Sequence, residues 1–343
     1  MNKINTTLKY GFKDVLILPT ITSVSSRSKV NLVKKFHFTN SNQEWTGIPV
    51  VVSNMDTTGT FEMAKELAKN KLLTCIHKYY SIQQWKHFLS SNSNDFIDYI
   101  AVSSGITDTD IKKLDNIMAL DSRIKWICLD VANGYMTYFH DIVKQIRFKY
   151  PNKIIIAGNV VDIHGYNALQ EAGADIIKCG IGGGSVCSTR IKTGIGYPQL
   201  SMILDLYKNG ATNIMSDGGC SSPGDICKAF SAGAQFVMLG GMFAGHEESG
   251  GELIEENGHL FKKFYGMSST EAMEKHTGIV DHYRTAEGKA VKIPFKGLVS
   301  HTLQDILGGI RSCCTYVNAS NIEQLLHNTK FILVQEQENK IFS

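Results

Sequence analysis

Charge of one sign is scarce in this chain of 343 residues, where 35 Lys and Arg face 32 Asp and Glu and leave a formal +3. So even a balance gives no electrostatic footprint for nucleic acid. Proline is rare, at 6 residues, and no long uncharged apolar run occurs. Collagen-like or low-complexity organisation and bilayer-spanning helices are therefore excluded as first readings. The opening stretch MNKINTTLKYGFKD lacks an apolar core before a cleavage site, so no secretion signal is expected. The 8 cysteines include no C-x-x-C pair, and adjacent Cys313 and Cys314 make a poor tetrahedral chelate. Reduced thiols in a cytoplasmic, non-membrane protein are the expectation. What is plentiful is apolar content, at 43%, beside 20% charged residues, which supports a large folded core.

That apolar content falls into eight short continuous runs: IPVVVSN from Ile48, LLTCIH from Leu72, YIAVSSG from Tyr99, KWICLDV from Lys125, KIIIAGNV from Lys153, ADIIKCGI from Ala174, NIMSDGG from Asn213 and AQFVMLGG from Ala234. None alternates cleanly with polar residues, as expected of parallel strands buried on both faces. Helical stretches lie between them. Ser81 and Gln84 form a capping box ahead of Ile82, Trp85 and Leu89, while Phe139, Ile142, Val143 and Ile146 mark one helical face. Ser222-Pro223-Gly224-Asp225 reads as a helix start, and Gly173 and Gly233 sit where C-cap glycines belong. Eight successive units favour an α/β fold of the closed (β/α)8 TIM-barrel type over an open doubly wound sheet. A dinucleotide fingerprint is not met: Gly180-Ile181-Gly182-Gly183-Gly184-Ser185 comes late and has serine for the third glycine. The expected organisation is one barrel domain over 1–343, with a catalytic loop at about 180–198 and a flap with C-terminal extension at about 245–343.

Both insertions follow strand C-termini, where barrel chemistry resides. The first reads KCGIGGGSVCSTRIKTGIGYPQ from Lys178. Its glycines permit a tight loop whose backbone groups turn inward toward a cation or an anion. Cys187 lies at the tip among Ser185, Ser188 and Thr189. A free cysteine is ordinarily an inert packing residue, but this position favours a nucleophile. Gly218 with Gly219, and Gly240 with Gly241, end the last two strands, where barrels often hold phosphate. The 222–225 helix start adds a positive dipole end, Ser185 a hydroxyl, and Asp217 an acceptor for ligand hydroxyls. His77, His246 and His276 read mainly as polar packing or surface residues.

The segments GIGGGSVCSTRIKTGIGYPQ, SDGGCSSPGDICKAF, GAQFVMLGGMFAGHEESGGE, FYGMSS and YRTAEGK resemble the GMP reductase branch of the IMP dehydrogenase/GMP reductase family. The likeness runs almost end to end, from GFKDVLI to RSCCTYV and FILVQEQEN. Gly183 departs from the family's usual proline, which should loosen the loop without abolishing its cation site. The resemblance implies NADPH-dependent conversion of GMP to IMP and ammonia. Cys187 would attack C2 of the guanine, with Thr189 and Glu287 as the proton relay. Without the resemblance, Glu287 would read equally well as a solvated acid. By the same likeness Gly266, Met267, Ser268, Arg284, Thr285, Ala286 and Gly288 join the substrate site. Ser26, Arg27, Lys78, Asp130, Val131, Ala132, Ile181, Gly182, Tyr283, Ser312, Cys313, Cys314 and Thr315 are implied for NADPH. Gly182, Gly184 and Cys187, with Arg190 nearby, are implied for a potassium ion, and the assembly implied is a homotetramer. The alternatives are an IMP dehydrogenase without regulatory domains, a non-catalytic purine-nucleotide-binding regulator, and a flavin-dependent barrel oxidoreductase. Against the dehydrogenase, only 21 residues separate His77 from Tyr99, too few for its usual inserted domain, and Tyr283-Arg284 reverses its arginine–tyrosine pair.

Overall fold

The computed structural model of the chain, which describes residues 4–90, 94–277 and 285–335, turns all eight apolar runs into parallel strands. These are β1 (Gln43–Val52), β2 (Leu72–Ile76), β3 (Ile100–Ser104), β4 (Trp126–Asp130), β5 (Ile154–Val160), β6 (Ile176–Cys179), β7 (Ile214–Asp217) and β8 (Phe236–Leu239). Each pairs with the next, and β8 returns to β1 through Val237↔Val50 and Leu239↔Val52, closing the barrel. The helices α1 (Phe61–Ala68), α2 (Ile82–Ser90), α3 (Asp108–Met118), α4 (Thr137–Lys149), α5 (Ile163–Glu171), α6 (Gln199–Lys208), α7 (Pro223–Ala232) and α8 (Val299–Tyr316) alternate with the strands. The fold is the expected (β/α)8 barrel.

Local signals were obeyed. The Ser81 amide donates to Gln84 Oε1 at 2.8 Å and the Gln84 amide to Ser81 Oγ at 3.2 Å, the reciprocal box that opens α2. Ser222 and Asp225 cap α7 in the same way, and Gly233 ends it with φ +117°. On α2, Trp85 and Phe88 are the buried pair, and Leu89 lies only partly buried beside them.

One strand differs from expectation. β1 begins at Gln43, because Lys34–Phe38 pairs antiparallel with its first half. That segment alternates, with Phe36 and Phe38 inward and Lys35 and His37 outward. Phe36 lies 4.4 Å from Phe236 between ring centres, and Trp45 meets Trp126 edge-on at 5.4 Å. These rings join Val51, Leu73, Ile154 and Met215 to fill the barrel lumen. The N-terminal end is thus plugged, and ligand access is left to the strand C-termini.

The last third divides into two parts. β9 (Leu253–Glu256), β10 (His259–Tyr265) and β11 (Ala290–Pro294) form an antiparallel sheet, with a helix at Thr270–Thr277 between β10 and β11. The chain then returns to the barrel wall as α8, which packs on α7 and α1. Its final strand, Phe331–Leu333, pairs with Val15–Ile17. Among the described residues no helix is long and apolar enough to cross a membrane.

Candidate active site

A cavity of about 250 Å³ opens at the C-terminal ends of the strands. The loop after β6 carries Cys187 into it, and Thr189 follows as the first residue of a short helix, Thr189–Thr193. The Cys187 thiol donates to Thr189 Oγ1 at 3.1 Å. The same contact runs in reverse once the sulfur is a thiolate, with the hydroxyl donating and stabilising the charge. Two neighbouring cysteines, Cys179 and Cys220, are unsuited to attack. Burial pushes the Cys179 and Cys220 thiols well up, whereas Cys187 is partly exposed on the cavity wall.

Glu287 reaches the same cavity from the far end of the chain. Its position is set by backbone bonds. The Ser188 amide donates to Glu287 O at 2.8 Å, and the Lys289 amide donates to Val186 O at 2.9 Å. Cys187 and Gly288 thus form an antiparallel bridge between the two inserted segments. The Glu287 amide in turn donates to Ser268 O at 3.1 Å. Gly266, Met267 and Ser268 complete that wall.

The opposite wall and floor are polar and charged. Lys178 is buried, with its Nζ 2.5 Å from Asp130 Oδ1 and 3.3 Å from Asp217 Oδ2. Burial alone would lower this lysine, but the two carboxylates hold its ammonium charged, well above the usual lysine range. Burial likewise works to raise Asp130, and the Lys178 charge overrides it and keeps the carboxyl low. Asn54 Nδ2 donates to Asp130 Oδ2 at 2.9 Å. Asn159 Nδ2 donates to both Asp217 Oδ2 and Gly180 O at 2.8 Å. The pairing of β5 with β6 slips between Gly158 and Val160, which turns Asn159 toward this floor. Asp217 Oδ2 is therefore committed within the protein. Val131, Ala132, Ile181 and Gly182 give the adjacent wall its apolar edge.

The glycine pairs adjoin this cavity. Gly218 and Gly219 take φ of +91° and +84°, and a Cβ on Gly218 would lie 3.1 Å from Gly184 N. A Cβ on Gly241 would come within 2.8 Å of Ser185 Oγ, and one on Gly240 within 3.2 Å of Met55 Sδ. Loops after β6, β7 and β8 thereby converge on one side of the cavity. The start of α7 contributes less than its sequence suggests. Asp225 accepts from the Ser221 and Ser222 amides at 3.0 and 3.2 Å, so its own carboxylate occupies the positive end.

Of the residues expected at the site, the cavity gathers Cys187, Thr189, Glu287, Asp217, Gly266, Met267, Ser268, Asp130, Val131, Ala132, Ile181, Gly182 and Gly184. Thr285, Ala286 and Gly288 flank Glu287 in the same segment, and Arg190 packs against Gly182, whose Cβ would stand 2.5 Å from Arg190 Cγ. Lys78 lies beyond the cavity wall, 3.1 Å from Asp110 Oδ1. Ser26 and Arg27 sit in a turn on the outer wall that packs against α8, the helix carrying Ser312, Cys313, Cys314 and Thr315. Tyr283 and Arg284 fall outside the described residues. Sequence reasoning missed Lys178, Asn54 and Asn159. His77 is a packing group: burial lowers it to about 4 and leaves it neutral, stacked on Tyr80 at 4.1 Å. His246 is fully buried, with Nδ1 3.3 Å from Gly297 O.

Comparison with known proteins adds an independent line. A family-wide sequence profile described as "IMP dehydrogenase / GMP reductase domain" matches residues 9–340. The protein named GMP reductase from Escherichia coli O81 (strain ED1a) is 52% identical, with 99% of both chains covered. The GMP reductase of Shigella boydii serotype 4 (strain Sb227) is similar to the same extent, at 52% identity over 99% of each chain.

Proposed function

The chain belongs to the IMP dehydrogenase/GMP reductase family, and from that premise we propose that it is an enzyme catalysing the NADPH-dependent reductive deamination of GMP to IMP and ammonia. The observation that carries this reading is the meeting of Cys187, Thr189 and Glu287, from segments a hundred residues apart, in one cavity beside a glycine cradle.

Cys187 adds to C2 of the guanine, forming a carbon–sulfur bond. The exocyclic amine leaves only when protonated, since an amide anion is too basic. Thr189 passes a proton to it, and Glu287 resupplies the hydroxyl. The carbon–nitrogen bond breaks, ammonia departs, and a covalent thioimidate remains. NADPH, when bound, supplies the hydride that C2 then accepts. The carbon–sulfur bond breaks last, and Cys187 returns as thiolate. Ser185, Gly218, Gly219, Gly240 and Gly241 hold the phosphate through backbone amides and one hydroxyl. Asp217 takes the ribose. Gly266, Met267, Ser268, Arg284, Thr285, Ala286 and Gly288 enclose the base.

The apolar edge formed by Val131, Ala132 and Ile181 beside the Cys187 wall fits a nicotinamide ring, with Asp130 and Gly182 framing it. Lys78, Tyr283 and, across a subunit boundary, Ser26, Arg27 and Ser312 to Thr315 serve the rest of the cofactor. The position of Ser26 and Arg27 on the outer wall suits a contact made between copies in a homotetramer. For potassium, the donor set fits: backbone carbonyls of Gly182, Gly184 and Cys187 are hard neutral oxygens suited to a weakly held monovalent cation. The absence of room for a side chain at Gly182, against Arg190, holds that turn. The working unit is one barrel domain over 1–343 in the cytoplasm, with a catalytic loop at about 180–198 and a flap with C-terminal extension at about 245–343.

The test is direct. Protein with GMP and NADPH is followed by nicotinamide absorbance and ammonia release, then with IMP and NAD. Consumption of NADPH with stoichiometric ammonia is expected, and Cys187→Ser should abolish it while GMP still binds. NAD reduction with IMP would support the dehydrogenase instead. Binding without turnover would support a regulator.

A further inference from the structure

Outside the cavity, one buried carboxylate gathers more donors than its own strand supplies. Asp56 lies three residues after Ser53, in the loop following β1, and is buried. Its Oδ2 accepts from Tyr265 Oη at 2.7 Å, Lys275 Nζ at 2.8 Å and His276 Nε2 at 2.8 Å. Lys275 Nζ also reaches Tyr265 Oη at 2.9 Å. Tyr79, from the loop after β2, lies face to face on His276 with 3.4 Å between ring centres. All three donors belong to the inserted sheet and its helix, more than two hundred residues away in sequence.

Tyr265 ends β10 and is followed at once by Gly266, Met267 and Ser268 on the cavity wall. Lys275 and His276 stand at the other end of the next helix. One carboxylate therefore pins both ends of the segment that carries this wall. The chain of contacts continues, because Ser268 O receives the Glu287 amide. Asp56 touches none of the cavity itself.

We infer that Asp56 is a positioning residue of the reaction, which sets the placement of Glu287 by anchoring residues 265–277 to the barrel. The inference rests on the role of Glu287 proposed above. It accounts for a buried carboxylate that stands outside the cavity and takes three donors from the inserted segment. Removing its charge weakens the bonds from Tyr265, Lys275 and His276 together, so the 266–268 wall and the Glu287 backbone shift while Cys187 stays on its own loop.

The experiment is a double-mutant cycle of Asp56→Asn and Glu287→Gln, with kcat, KM for GMP and thermal midpoint measured on the whole protein. Asp56→Asn should lower kcat by up to roughly 100-fold, the effect of a small misplacement of a reacting group. KM for GMP should rise less than kcat falls, because only the 266–268 part of the base enclosure shifts while Cys187, Asp217 and the glycine cradle keep their places. In the Glu287→Gln background the same substitution should cost within about twofold, since its target is already gone. A purely structural role would instead lower the midpoint and multiply the two losses, which would overturn the inference. Near-parental kcat in Asp56→Asn would overturn it as well. Full turnover in Glu287→Gln alone would sink the role of Glu287, and a crippled Glu287→Gln with multiplicative losses would sink only the role of Asp56. Tyr265→Phe, which leaves the carboxylate with Lys275 and His276, carries the same cycle should the asparagine variant fail to fold.

Discussion

Replacing Lys178 by methionine keeps the volume of the side chain and removes its charge. The ammonium is buried between Asp130 and Asp217 at 2.5 and 3.3 Å, and both carboxylates are partly exposed on the cavity wall. Taking away one partner of a buried ion pair typically costs about 3–5 kcal/mol, because an uncompensated charge stays behind. The alternative route is for Asp130 to take up a proton. From an ordinary pKa of 3.8 this costs about 4 kcal/mol at pH 7, so it caps the penalty at the same order. The two routes differ in pH dependence, and the sign can be fixed. In the parent, Asp130 is held below its unfolded value. Its contribution is present above pH 3.8 and is lost as pH falls below it. Lys178 is held above its unfolded value, so its contribution is whole below about pH 10.5 and fades only in strong alkali. In Lys178→Met the Asp130 carboxyl rises instead, so the variant recovers stability on acidification. Urea unfolding at matched protein concentration should give a deficit of about 3–5 kcal/mol at pH 8 that shrinks at pH 5.5. A deficit under about 1 kcal/mol, or one that does not change with pH, would refute the charge-network account of the floor.

His77 gives a second titration test. Burial depresses it from 6.5 to about 4, so the unfolded chain binds the proton first and stability falls between those values. His77→Phe should remove about 2 kcal/mol of the stability lost between pH 7 and 5, measured by urea unfolding at both values. At the cradle, Gly241→Ala would push a methyl to within 2.8 Å of Ser185 Oγ. KM for GMP should rise about tenfold or more, as expected for one lost bond to a charged phosphate, while the constant for unphosphorylated guanosine stays put. Equal effects on both compounds would remove the phosphate from that cradle.

The barrel was legible because buried parallel strands must be apolar on both faces, and each such run stands out between polar helices. The Lys34–Phe38 strand carried its own signal, the alternation of Phe36 and Phe38 with charged or polar neighbours. The glycine pairs could be read because glycine is a poor choice for strand or helix packing, and Cys187 because it stands in a glycine-rich loop just after a strand end. Lys178 was legible in principle. It stands inside the run ADIIKCGI, and a charge in a strand buried on both faces requires a partner. What no spacing reveals is which carboxylate supplies that partner, since Asp130 and Asp217 come from different strands. The bonds from Asp56 to Tyr265 and His276 are hidden for the same reason, being made only when the inserted sheet folds back on the barrel. The outer-wall setting of Ser26 and Arg27 depends on where the N-terminal turn meets α8, which local sequence does not encode.

The backbone bridge between Cys187 and Gly288 has a dynamic consequence. The amides of Ser188 and Lys289 are both held across it, one in each direction. Neither strand can release its half without the other, so sulfur and acid part company in one cooperative opening. In deuterated buffer these two amide protons should show equal protection relative to their intrinsic exchange rates, set by a single opening free energy.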